Sequence, residues 1–138
     1  MQFKAALTIN SESIELSLLI VCFPNELKPK FTIMLIGEKC VVRLNYGEDC
    51  SHNNHPIKGI ITPLGIEYGE IEGSNYHSWQ DNRHLASPIK YPNELEFARQ
   101  LPLNIQSFEN CFRWFCAENN VIIAGEKIPE LPLRERLL

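Results

Sequence analysis

Phe31-Thr32-Ile33-Met34-Leu35-Ile36-Gly37-Glu38-Lys39-Cys40-Val41-Val42-Arg43-Leu44-Asn45-Tyr46 is the stretch that decides the fold. Two runs rich in β-branched, aromatic and other apolar residues flank a short Gly37-Glu38-Lys39 break. That pattern predicts a tight antiparallel hairpin with glycine at its turn. Upstream, Ile14, Leu16, Leu18 and Ile20 alternate with Glu15 and Ser17, a period of two. Residues 19–23 are apolar on both faces, which predicts a central strand. Residues 3–9 have moderate β character and are separated from it by the polar break Asn10-Ser11-Glu12-Ser13. Residues 3–46 therefore predict an antiparallel meander of three or four strands.

Further along, the period changes. Ile105, Phe108, Cys111, Phe112, Phe115 and Cys116 recur at steps of three and four, the stripe of an amphipathic helix. Asn104 or Ser107 can cap its start, and Asn119-Asn120 ends it. Three phenylalanines on one stripe mark core, so the helix over residues 105–119 is expected to bury Phe108, Phe112 and Phe115 against the sheet. The fold class is α+β: an antiparallel β-meander with one main C-terminal helix packed on one face. Between meander and helix, residues 47–56 read as a polar loop. Residues 58–68 read as one or two edge or bent strands, interrupted by Pro63 and Gly65. Residues 93–100 read as a short helix stopped by Pro102, and residues 121–124 as a last short strand. Residues 1–126 are expected to form a single globular domain, with 127–138 a partly mobile tail.

A length of 138 residues fits one domain that buries about two-thirds of its unfolded surface. It needs no metal or disulfide staple. The N-terminus lacks the charged and apolar regions of a signal peptide. No apolar run approaches the roughly 20 residues of a membrane span. These readings predict a soluble, cytoplasmic protein without membrane contact. The five cysteines are odd in number and irregular in spacing, as expected of free thiols that pack as small hydrophobes. A net charge of −4 argues against a broad nucleic-acid-binding surface, though not against RNA cleavage in a local pocket.

All four histidines, His52, His55, His77 and His84, lie in one polar window with Arg43, Arg83, Asp81 and several asparagines. Four readings of that window stay open. The plainest is a solvated surface where one or two histidines bond to backbone. The second is metal-independent RNA cleavage. Histidine suits both proton transfers because its unperturbed pKa is about 6.5, and the arginine fork suits a phosphate. His77, His52, His55, Arg83 and Arg43 would then be catalytic. Trp79, Tyr76, His84 and Asp81 would bind substrate, Trp79 or Tyr76 by stacking on a splayed base. Asp81 would orient a histidine or pair with Arg83. The third is a metal site on His52-x-x-His55 with Cys50 nearby, but the ligand frame is incomplete, so no metal or cofactor is expected. The fourth is a partner-recognition module using Trp79, Tyr76 and Arg83. Thiol catalysis at Cys50 is disfavoured because Glu48 and Asp49 beside it would raise its pKa.

The order of parts over residues 41–85 resembles small bacterial proteins and, more distantly, the TumE-like toxin family. Arg43-Leu44-Asn45 stands for a strand ending in arginine followed by an acid or amide. His52 or His55 follows, then His77 with Trp79. The chain departs from that pattern in a longer segment between the two histidine regions and in lacking a close His-x-His pair. The resemblance implies a small intracellular bacterial protein, toxin-like in character, with a cognate antitoxin as partner; joined to the second reading above, it makes a toxin-like metal-independent ribonuclease. The rival from another class is a non-enzymatic interaction module, such as an antitoxin or a defence- or phage-associated inhibitor.

Overall fold

The computed structural model describes residues 1–9, 12–85 and 95–123. Residues 2–46 form the predicted meander: β1 (Gln2–Ile9), β2 (Glu12–Cys22), β3 (Phe31–Ile36) and β4 (Cys40–Tyr46). Each pairs antiparallel with the next. The sheet then continues through β7 (Asn75–His77) and β8 (Arg99–Gln100), giving six strands in the order β1-β2-β3-β4-β7-β8. A separate ribbon pairs β5 (Ser51–Asn54) with β6 (Gly69–Glu72).

The long helix α2 spans Phe108–Glu118, shorter at its start than the apolar stripe suggested. Ile105 carries the stripe on, but sits in a turn whose amide bonds to Pro102. Ser107 is the cap: its hydroxyl accepts from the Asn110 amide at 3.1 Å. Asn120 ends the helix in the left-handed region at φ 55°. The helix buries Cys111, Phe112, Phe115 and Cys116, with Phe108 half-buried. Its rings meet the sheet edge to face, Phe108 on Phe31 at 5.0 Å and Trp114 on Tyr76 at 4.7 Å. Leu18, Ile20, Ile33, Val42 and Leu44 complete this core.

Several expectations for the middle of the chain are corrected. Part of the polar stretch 47–56 is strand, because β6 supplies Ser51–Asn54 with a hydrogen-bonding partner. Residues 58–68 are turns, not strands. Gly59 and Gly65 take positive φ, and turn bonds close Ile57 to Ile60 and Pro63 to Ile66. Residues 95–98 are not helical, and Arg99–Gln100 pair with β7. Residues 121–123 form no strand. Residues 76–85, which carried no assigned element, contain the end of β7, the four-residue helix α1 (Trp79–Asn82) and a 3-10 turn over Arg83–Leu85. The domain boundary at 126 and the tail 127–138 lie outside the described residues, as do positions 93, 94 and 124 of the expected helix and strand.

Candidate functional site

Strand alternation sets the site. Val42, Leu44 and Tyr76 point into the core, so Arg43, Asn45, Asn75 and His77 project from the opposite face of the sheet. Register places them in two cross-strand rows: Met34, Arg43 and His77 in one, Thr32, Asn45 and Asn75 in the other. The second row is hydrogen-bonded. Thr32 Oγ1 donates to Asn45 Oδ1 at 3.2 Å, and Asn45 Nδ2 donates to Asn75 Oδ1 at 3.1 Å.

Segment 95–98 crosses this face, and every one of its carbonyls is held by a side chain. His77 Nδ1 donates to the Leu95 carbonyl at 2.7 Å. His52 Nε2 donates to the Glu96 carbonyl at 2.7 Å. The Asn82 amide pairs with both backbone groups of Phe97, at 2.9 and 2.8 Å. The Asn54 amide does the same for Ala98, at 2.8 and 3.0 Å. A carboxamide carries the donor and acceptor of a peptide unit, so Asn54 and Asn82 stand in for a neighbouring strand. The pattern satisfies a buried extended segment that has no ladder of its own there. Two of the histidines bond to backbone, as in the plainest reading, but on a covered face where His77 is buried and not on a solvated surface.

The structure brings Arg43, His52 and His77 together. The two imidazoles meet edge to face with centroids 4.6 Å apart, and Arg43 lies opposite His77 in the register. His77 is 1% exposed. Its pKa is lowered to about 3, chiefly by burial, then by the Arg43 charge and by His52; the bond to Leu95 opposes this weakly. The ring also has Asn75 Oδ1 3.1 Å from Nε2, so it lies between two oxygens. A second ring proton would serve both, but would place a cation in a dry space beside a guanidinium. The neutral ring is favoured, donating through Nδ1. The Nε of Arg43 is buried with no hydrogen-bond acceptor among the described residues.

The other expected site residues stand apart. His55 is exposed beyond the end of β5. Arg83 and His84 are exposed on the 3-10 turn, where His84 stacks on Phe97 at 5.9 Å. Trp79 is exposed on α1. Tyr76 belongs to the core: its hydroxyl accepts from Asn119 at 3.1 Å, and burial pushes its pKa up to about 12. Asp81 is buried and pairs with Arg99, not Arg83, through bonds of 2.7 and 2.9 Å. No group of three or more His, Cys, Asp and Glu gathers among the described residues. All five cysteines are free, and burial raises the Cys50 thiol, with Lys30 opposing and Asp49 reinforcing the shift.

Asn54, Asn82 and Arg99 carry the arrangement and were not singled out from sequence. No local signal marked them: Asn54 stands in a stretch that reads as polar loop, where asparagine is common, Asn82 lies on α1 and Arg99 in a two-residue strand. No helix among the described residues is long and apolar enough to cross a membrane. Compared with protein-family profiles, curated proteins and solved structures, the chain matches none.

Proposed function

We propose that this chain is a non-enzymatic protein-interaction module whose contact surface is the loop of residues 57–68. One observation carries the reading: Ile61, Leu64 and Tyr68 are 90%, 97% and 56% exposed on a loop fixed in place from beneath. Arg99, held by Asp81, donates a third bond to the Leu64 carbonyl at 2.8 Å. A Cβ on Gly65 would fall only 2.9 Å from that guanidinium. On the other arm, Asn54 donates to the Glu67 carbonyl at 3.0 Å. Large apolar groups held out to water on a preorganised loop suit a partner with an apolar recess, because little ordering entropy remains to be lost on binding. An antitoxin or an inhibitor is the kind of protein this describes. The test is a photo-crosslinking residue at Tyr68 in cells. A discrete adduct that disappears with Leu64→Asp supports the reading. An adduct insensitive to Leu64→Asp and Ile61→Asp, or none, removes it.

A second reading rests on a different observation, the adjacency of Arg43, His52 and His77. In it the chain is a toxin-like, metal-independent ribonuclease, and segment 95–98 must move to admit RNA. It ranks lower because both histidines are engaged with backbone carbonyls and His77 is neutral far below pH 7. RNA incubated without metal separates the two. Cleavage lost in His77→Ala and Arg43→Ala, with both variants folded, would promote the ribonuclease.

A further inference from the structure

The apolar loop runs directly into an acidic flank. β6 follows it, and the ribbon register sets Glu70 opposite Asn53 and Glu72 opposite Ser51. Strand alternation puts these four residues on one face of the ribbon, and all four are exposed. The other face carries His52 and Ile71, both half-buried, and Asn54, which is buried. Glu67 is exposed within the loop itself and adds a third carboxylate beside Tyr68. Lys58 is the one lysine or arginine between residues 51 and 72.

Other acids close to the ribbon and loop are neutralised within the chain. Glu48 and Asp49 pair with Lys28 and Lys30, and Asp81 pairs with Arg99. The ribbon face differs. The positions across from Glu70 and Glu72, where a cation would stabilise each pair, hold an amide and a hydroxyl. Alternate residues of one strand stand about 7 Å apart, so the fields of Glu70 and Glu72 add. Their negative charge is directed at solvent within a few residues of exposed Tyr68. An apolar anchor with a carboxylate border fits a partner surface of the opposite kind, an apolar recess edged by lysine or arginine. Border carboxylates draw such a surface in from within a Debye length, ~8 Å in physiological salt, and repel an acidic one. They repel the phosphates of a nucleic acid as well, so the occupant is a protein.

We propose, resting on the interaction reading above, that the partner of the loop over residues 57–68 is a basic-rimmed protein surface. Its lysines or arginines meet Glu67, Glu70 and Glu72 while its apolar recess takes Ile61, Leu64 and Tyr68. Charges at a rim act chiefly on association rate. The test places the photo-crosslinking residue at Tyr68 of the full chain in cells. Yields are compared among wild type, Glu70→Gln/Glu72→Gln and Glu70→Lys/Glu72→Lys, each checked for folding by circular dichroism. The glutamine form keeps the side-chain shape and so isolates charge. Adduct yield at short irradiation should fall stepwise, by about tenfold in the lysine form. In a lysate the wild-type yield should fall between ~0.05 and ~0.5 M salt, and that dependence should flatten in the lysine form. Equal yields from the three forms, a higher yield in the lysine form, or a wild-type yield indifferent to salt would overturn the proposal. In each of those cases an adduct still lost in Leu64→Asp leaves the interaction reading standing. Absence of any wild-type adduct removes both.

Discussion

Replacing His77 with glutamine should flatten the acid limb of the stability curve. The folded ring titrates at about 3, against an unfolded value near 6.5. Below pH 6.5 the unfolded chain binds the proton that the folded chain refuses, so stability falls as pH falls. The contribution of neutral His77 is fully present above pH 6.5 and drains away toward pH 3. The slope is about 1.4 kcal/mol per pH unit, and integration from pH 7 to 4.5 gives a loss of about 2.5 kcal/mol. Glutamine keeps an amide donor for the Leu95 carbonyl but cannot titrate. Urea unfolding followed by circular dichroism at several pH values gives both curves, and shared carboxylate effects cancel in their difference. Wild type should lose about 2.5 kcal/mol more than His77→Gln over that range. Parallel curves would refute the reasoning, because His77 would then have an ordinary pKa and would not be sealed beside Arg43.

The remaining predictions concern parts of the same frame. Phe112→Ala should cost about 3–5 kcal/mol of stability by urea titration, since the ring is fully buried between helix and sheet. Asn82→Ala should cost about 2–4 kcal/mol and abolish hydrogen-exchange protection at the Phe97 amide, because both backbone groups of Phe97 lose their buried partner. Arg99→Ala should cost about 1–2 kcal/mol, the lower part of the range for charged bonds because Arg99 is partly solvated. It should also speed proteolysis within residues 57–68. Gly65→Ala should loosen the same loop, since the position holds φ +86° and its Cβ would press on the Arg99 guanidinium.

The meander and the helix were legible because each repeats one period over a long run. β3 and β4 alternate and meet at a glycine turn, and Cys111, Phe112, Phe115 and Cys116 fall on one helical stripe. The middle of the chain was not legible, because its pairing is non-local and its strands are short. Ser51–Asn54 looks like loop until Gly69–Glu72 lies beside it. β7 has three residues, and its place between β4 and β8 depends on partners about thirty and twenty-five positions away. Residues 95–98 suit a helix by local preference, but four side chains from β5, β7 and α1 hold them extended.

That last point bears on how the polar window should be interpreted. Histidines and asparagines clustered in sequence suggested chemistry because those residue types serve catalysis. They serve equally well as surrogates for backbone, and the two uses leave different marks. A catalytic imidazole needs access and a free nitrogen near its working pKa. A clamping imidazole is dry, aimed at a carbonyl and held neutral. His77 carries the second set of marks, and Asn54 and Asn82 repeat its role with both ends of their amides. The polar face of the sheet is thus where the chain fastens its own segment. Asn54 and Arg99 extend that fastening to the Glu67 and Leu64 carbonyls, so two residues outside the expected catalytic set hold the apolar loop in a fixed shape.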